Sequence, residues 1–406
     1  MTFYFHKITK GGSVFFTHAV IEWLIKNNGH KLTDDPAAAQ YHLVSLCDVT
    51  QIFFLERVRK KYPDKVIIAG GHFCINFKLA GLFADLVNVG AAFELFKCKD
   101  FDEMTGLASS YVKGIPRVIQ PSTLIEWEKI PVFQTSVKGF HYYGGTGCKN
   151  KCKFCLTTWT NKFQENSAIR IRRAESMIPP GAKLNVVTNA YNTELRKSPG
   201  INMMLRDFIK IKRRKTRLAR MGLEFATEEN RRRFGKPFTD DQLLEALDVS
   251  TRLKIEIQFF AIGGIDTREA WLDLFSKFPT QADRAPKLYF SFTNLQYEQF
   301  VPVYNERFKM QIENYLDGPF GEKLFNSVAT RNKRIRVFPI AYPALALWRT
   351  GMQLVTNPDQ FDIWKMLKKE KDLDLVYSAL YSSGVINTDY RDEVKFWYQQ
   401  KKEAKK

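Results

Sequence analysis

The sequence predicts an α/β protein: a Rossmann-like amino-terminal domain, then a partial (β/α) barrel, then a helical carboxyl-terminal region. Three observations carry that reading. Short apolar runs alternate with helix-length segments from Phe3 to Phe338, the pattern of parallel strands joined by crossover helices. Several of the runs stop at glycine, as strands do where an open sheet meets a ligand crevice. A chain of 406 residues, 45% hydrophobic and 14% aromatic, also has enough apolar material for two or three cores and is not of disordered composition.

Phe3 to His6 reads as a strand, Ser13 to Asn27 as an amphipathic helix closed by Asn28 and Gly29, and Tyr41 to Leu46 as a second strand. A helix over Gln51 to Lys61 is stopped by Pro63. Lys65 to Ala69 is a buried-strand run ending in Gly70 and Gly71, and Asp85 to Val89 is another ending in Gly90. The stretch from Lys99 to Lys138 contains Pro116, Pro121 and Pro131 and reads as an irregular linker. Strand-like runs return at Leu184 to Thr188, Arg220 to Phe225, Glu256 to Ile262, Lys287 to Phe292 and Arg334 to Phe338, with helices such as Asp240 to Arg252 between them. Tyr342 to Lys406 reads as a helical cap. The expected units are therefore 1–98, a linker over 99–138, a barrel over 139–341 and the cap over 342–406.

Charge and cysteine usage narrow the function. Lys and Arg total 62 against 43 Asp and Glu, a formal charge of +19, which attracts polyanions. The excess is clustered in a run from Arg206 to Arg220 that includes Arg213, Arg214, Lys215 and Arg217, with smaller groups at Arg231 to Arg233 and Arg331 to Arg336. Nucleic acid leads the list of partners, DNA ahead of RNA. No apolar stretch approaches the roughly 18 residues of a membrane-spanning helix, and Met1 to Lys10 lacks a signal-peptide apolar core, so a cytoplasmic, non-membrane protein is expected. Six Cys are too few for a disulfide scaffold; Cys47, Cys74 and Cys98 read as buried small hydrophobes.

The other three fall together as Cys148-x3-Cys152-x2-Cys155, after a strand around Phe140 to Tyr143. Thiolates suit zinc or iron–sulfur clusters. A cubane cluster ordinarily takes four Cys ligands, so three leave one iron open to a small molecule. The alternative is a structural zinc with His141 as fourth ligand, in a non-catalytic nucleic-acid-binding protein; zinc sites, however, usually pair Cys-x2-Cys with a distant second pair.

This spacing, with the aromatic Phe154 before the last Cys, resembles the signature loop of the radical S-adenosylmethionine (SAM) superfamily. The resemblance implies an enzyme in which Cys148, Cys152 and Cys155 hold a 4Fe-4S cluster. The open iron binds SAM, and an electron from a flavodoxin or ferredoxin cleaves it to a 5′-deoxyadenosyl radical. Gly222 to Ala226, followed by the Gly235 to Thr239 turn, resembles the SAM-contacting strand and implies that Glu224 faces the ribose or amino group. Phe260 to Thr267 resembles the next strand, with Gly263 letting backbone approach the adenine. Leu184 to Thr188 ends in Asn189, a further cofactor-binding position, where many relatives are acidic. No Gly-Gly-Glu segment is evident.

Val66 to Phe73 and Ala84 to Gly90, with Glu94, resemble the cobalamin-binding domain that precedes many such barrels, although the Asp-x-His-x-x-Gly motif is absent. Cobalamin is a possible cofactor on that resemblance. For the substrate, the basic run before Glu224 suggests a phosphate-binding face near the radical. Size and charge also resemble phage-encoded radical SAM proteins of DNA hypermodification, which implies isomerisation of an amino-acid adduct on thymine in the host cytoplasm. The competing reading is a cobalamin-dependent radical SAM methyltransferase or tailoring enzyme acting on a small molecule or peptide.

Overall fold

The computed structural model of the chain describes residues 1–7, 16–46, 51–136, 139–148, 150–155, 163–188, 200–214, 216–236, 238–263, 265–279, 285–294 and 332–338. The expected cap over 342–406, Lys215 and Asn189 lie outside them, as does Cys47.

The first sheet joins β1 (Thr2–His6), β2 (Lys31–Leu32), β3 (Tyr41–Ser45), β4 (Val66–Gly70), β5 (Leu86–Asn88) and β6 (Ser110–Tyr111) in the order β2-β1-β3-β4-β5-β6. All neighbours are parallel except β5 and β6. This is a doubly wound order whose direction reverses between β1 and β3, so the ligand crevice of the fold opens at the carboxyl ends there. The unbroken apolar run of β4 fits a strand covered on both faces. Ile68 packs into a core with Phe3, Phe5, Leu24 and Ile25, whereas Ile67 and Ala69 pack into a second core with Val44, Leu55 and Leu79. Helix α1 (Phe16–Asn27) lies on the first face, and α2 (Ile52–Lys61) and α3 (Phe77–Ala80) on the second.

The described part of the expected linker, 99–136, is more ordered than its prolines suggest. Helix α4 (Phe101–Gly106) is capped by the Asp100 carboxylate, which accepts from the Glu103 amide, while Glu103 reaches back to the Lys99 amide. Strand β6 extends the first sheet, and Ile125, Ile130 and Phe133 enter its core. These are local features of two to six residues with no sustained periodicity, which is why sequence patterning passes over them.

The remaining strands build two further sheets. β7 (Phe133–Ser136), β8 (Gly139–Thr146), β9 (Gln164–Glu165) and β10 (Lys183–Thr188) form one, with β8 and β10 parallel and helix α5 (Ala168–Ser176) packed on them. β11 (Gly200–Asn202), β12 (Leu218–Glu224), β13 (Glu256–Gly263), β14 (Leu288–Asn294) and β15 (Ile335–Phe338) form the other, parallel throughout and in sequence order. Its outer face buries Ala219, Met221, Leu223, Phe259 and Phe290 against α6 (Leu205–Phe208), α8 (Asp240–Leu253) and α9 (Arg268–Ser276). Helix α7 (Glu228–Arg233) follows β12 directly. Each buried Phe or Leu contributes roughly 1.5–3 kcal/mol. Helix α8 starts at a full capping box between Thr239 and Gln242. These parallel βα units are the partial barrel expected from the sequence.

Candidate metal centre

The cysteine loop leaves the carboxyl end of β8. Gly147, at φ +70°, makes the turn that a side chain would strain. Cys152 is buried, while Cys148 and Cys155 are partly exposed. The Cys155 amide donates to the Cys152 carbonyl, and the Lys153 amide donates to the Phe234 carbonyl, so the loop is tied to the segment beyond β12. The Cys152 thiol lies 3.7 Å from the Gly235 carbonyl. Phe154, between the last two cysteines, packs edge-on against Phe225, which stacks on Phe234 with centroids 4.6 Å apart.

Glu224 is the last residue of β12, after a bulge at Gly222, and is one of two non-glycine residues with positive φ among those described. Its carboxylate pairs with Lys236 at 3.3 Å; both side chains are largely buried. Gly222 makes that possible, since a Cβ there would lie 2.7 Å from the Lys236 ammonium and against the Glu224 carboxylate. Burial raises the Glu224 carboxyl above its ordinary range, with Lys236 opposing. Burial works against the Lys236 ammonium, but Glu224 and Cys152 more than offset it and hold its pKa up. Burial pushes the Cys152 thiol to about 11, again with Lys236 opposing. At that value the buried thiol is protonated, and a bound cation is what would draw it into the thiolate form.

Two buried groups hold this end of the sheet. The Asp266 carboxylate accepts from the Ala226 amide, the Thr227 hydroxyl and the Asn230 amide. The Arg231 guanidinium donates to the Phe225, Ala226 and Phe238 carbonyls and pairs with Asp240. Arg231 therefore belongs to the core, not to the basic surface its sequence suggested. Arg334 is likewise buried, donating to Pro286 and Ser250.

Sequence reading identified Glu224 as an open cofactor contact; the structure gives it Lys236 as a partner, a residue the sequence analysis passed over. Gly263 ends β13, buried, in register with Asn294. His141 is far from the cysteines: it sits in the first half of β8, bound to the Thr135 hydroxyl and stacked on Phe16. It cannot complete a Cys3His zinc site. Among the described residues no three His, Cys, Asp or Glu form a group that would hold a single metal ion. A cubane asks for something different, one thiolate on each of three irons, so its ligands do not meet at one point.

The basic run is the second displacement. Arg213, Arg214 and Arg217 are exposed, but they precede β12, whereas the cysteine loop meets the segment that follows it. Seven strand residues, about 23 Å at roughly 3.3 Å each, separate Arg217 from the Glu224 end. The exposed basic residues therefore stand at the opposite end of β12 from the cysteine loop, not beside it as the sequence suggested.

The glycines at the carboxyl edge of the first sheet decide how much room it leaves for a cofactor. Gly71 and Gly90 both have positive φ, but a Cβ on either would strike the chain's own backbone at Leu46 or Ser122. Chain packing accounts for them. Gly70, the last residue of β4, instead faces open space at the carboxyl edge. His72 follows in a short 3-10 turn, exposed.

No protein-family model matches the chain, and no curated protein matches it in sequence. Solved structures do. The radical S-adenosylmethionine methyltransferase TsrM from Kitasatospora setae, with cobalamin and a [4Fe-4S] cluster bound, superposes with a TM-score of 0.54 at 11% identity, over 75% of this chain and 74% of that one. The cobalamin-dependent S-adenosylmethionine radical enzyme OxsB, with aqua-cobalamin and S-adenosylmethionine bound, gives 0.51 at 11% identity, over 94% and 70%. The chain shares its fold with these structures over the covered residues.

Proposed function

We propose that the chain is a radical SAM enzyme of the cobalamin-dependent kind, and that Cys148, Cys152 and Cys155 hold its 4Fe-4S cluster. The observation that carries this is the three-cysteine loop at the carboxyl mouth of a parallel barrel, where folds of this kind place their chemistry. Reductive cleavage of SAM to a 5′-deoxyadenosyl radical is the chemistry such a cluster supplies. The protein's own part is to hold three thiolates, to close one side of the loop with Phe154, Phe225 and Phe234, and to set the Lys236–Glu224 pair beside Cys152. Gly263 ends the neighbouring strand β13 at the same edge. The carboxyl edge of the first sheet, at Gly70, is the proposed place for cobalamin, and a flavodoxin or ferredoxin the proposed electron donor.

Methyl transfer to, or tailoring of, a small molecule or peptide is the reaction class that the fold favours. Modification of a nucleic-acid base, including isomerisation of an amino-acid adduct on thymine, is a second reading; the exposed Arg213, Arg214 and Arg217 support nucleic-acid binding but stand away from the cysteines. Anaerobic reconstitution with iron and sulfide should give a chain that forms 5′-deoxyadenosine from SAM only with a reductant, and Cys152→Ala should abolish it. Tightly bound zinc with neither iron nor sulfide would overturn the proposal. Stoichiometric cobalamin after reconstitution would support the cobalamin-dependent class, and its absence would remove that part alone.

A further inference from the structure

The inner face of the second barrel sheet is polar where its outer face is apolar. Along β12 burial alternates, with Ala219, Met221 and Leu223 packed outward on helices and Arg220, Gly222 and Glu224 turned to the other side. On that inner side the Arg220 Nε donates to the Gln258 carbonyl oxygen at 3.2 Å, and the Gln258 amide nitrogen donates to the Ser291 hydroxyl at 2.9 Å. One residue from each of three adjacent strands is thus wired in series. Gln258 uses its oxygen for Arg220 and its nitrogen for Ser291, which fixes the orientation of the amide and hence of the guanidinium. Arg220 makes no ion pair with a described residue, and the rest of its planar fork of donors is uncommitted among them. Beside this row, one step nearer the cysteine end, Phe260 is 36% exposed, although its neighbours Phe259, Ala261 and Ile262 are all buried.

We propose that Arg220 is a specificity-determining residue that binds an anionic group, carboxylate or phosphate, of a substrate whose apolar body lies on Phe260. The physical case is the contrast with the other barrel arginines. Arg231 is buried and donates to three carbonyls, and Arg334 is buried and donates to the Pro286 carbonyl and the Ser250 hydroxyl, as structural arginines do. Arg220 is partly buried, is held by one neutral amide, and has no carboxylate partner among the described residues. A bidentate anion would satisfy the free edge of the guanidinium, and an oriented fork binds planar anions more tightly than a mobile ammonium does. An apolar ring left accessible inside a barrel gains by covering. The placement, deeper than Glu224 along the same strand, puts the anion away from the cysteines and the apolar body towards them. That last point rests on the radical SAM reading; the anion site does not.

Saturation-transfer NMR on the full-length chain tests it with benzoate, phenyl phosphate and the neutral benzamide as probes. At least one anion should bind, and benzamide should bind at least tenfold more weakly. Arg220→Met should remove the preference for the anion, Arg220→Lys should restore part of it, and Gln258→Leu should weaken it while leaving the charge in place. Charge reversal at Arg213 and Arg214 should leave it unchanged, which separates the barrel interior from the basic surface. Preference for phenyl phosphate assigns a phosphate-bearing substrate, and preference for benzoate a carboxylate. Equal binding of benzamide, no binding of any probe, or a preference that survives in Arg220→Met overturns the proposal. If the anion preference holds while SAM cleavage is absent, the radical SAM reading fails and the anion site stands.

Discussion

The chemistry of the cysteine loop is set by one neighbouring charge. Cys152 is buried and its thiol is raised to about 11, so forming a thiolate there depends on positive charge nearby. Lys236 supplies it, held by Glu224 in the space Gly222 leaves. Removing that charge should make a bound cluster harder to reduce. Lys236→Met is expected to lower the midpoint potential of the reconstituted cluster by about 60 mV, the one-electron equivalent of a tenfold change in equilibrium. Lys236→Arg should stay near wild type. A redox titration followed by electron paramagnetic resonance reads this directly; an unchanged or raised potential in the methionine variant would show that Lys236 only props the turn. Among site residues, the three cysteines were legible because their spacing is local. Lys236 was not, because it meets Cys152 through the fold and its sequence, Gly-Lys-Pro, reads as an ordinary turn.

At the level of elements, the loop depends on how closely the turn after α7 approaches it. Gly235 has φ +82°, and a Cβ on it would lie 2.8 Å from the Lys151 carbonyl and 3.3 Å from the Cys152 Cα. Gly235→Ala therefore carries both backbone strain and a clash with the loop that bears the three cysteines, a cost of roughly 1–3 kcal/mol. The expected result is a chain that folds, with a thermal midpoint a few degrees lower, and retains less than half the wild-type iron and sulfide after reconstitution. Full iron and sulfide loading would mean that the loop is positioned by Phe154 and the rings it meets, not by the turn. The regular strands were legible because each is an apolar run bounded by glycine or polar residues, and a fully covered strand such as β4 needs no alternation to be recognised. Strands β6, β7 and β9 and helix α4 escaped because two to six residues carry too little pattern. Their order comes from packing on the first sheet and on β8.

The whole molecule is joined through a shared core and is polar along its barrel. Phe16 of α1 packs on Phe133 of β7 and on Tyr143 of β8, and the first sheet's core includes Phe133. The two parts are therefore packed against each other, and the cysteine loop leaves from the far end of that same β8. Strand register places Arg217, Lys254, Lys287 and Lys333 just before or at the start of four parallel strands, at the end away from the cysteines. Strands about 4.8 Å apart spread these cations over roughly 14 Å. Arg213 and Arg214 add to the same end, and neither forms an ion pair with a described residue. Arg217, Lys254 and Lys333 are exposed and Lys287 is half-buried, its ammonium on the Lys333 carbonyl; a row of separated cations suits a repeating anion and gives binding that is sequence-independent and steep in salt. If this end binds nucleic acid, reversing Arg213 and Arg214 to Glu should weaken binding of a fluorescent DNA duplex at least tenfold. It should also flatten the dependence of log affinity on log salt by about 2, since each phosphate contact contributes about 0.9. Reversing the exposed Arg172 and Arg173 on α5 changes net charge by the same amount and should do much less. Equal losses in both variants would mean that only the overall charge of +19 matters. Wild-type binding to polyglutamate but not to DNA would instead make the basic end a surface for an acidic protein, and would leave the nucleic-acid reading without its one structural support.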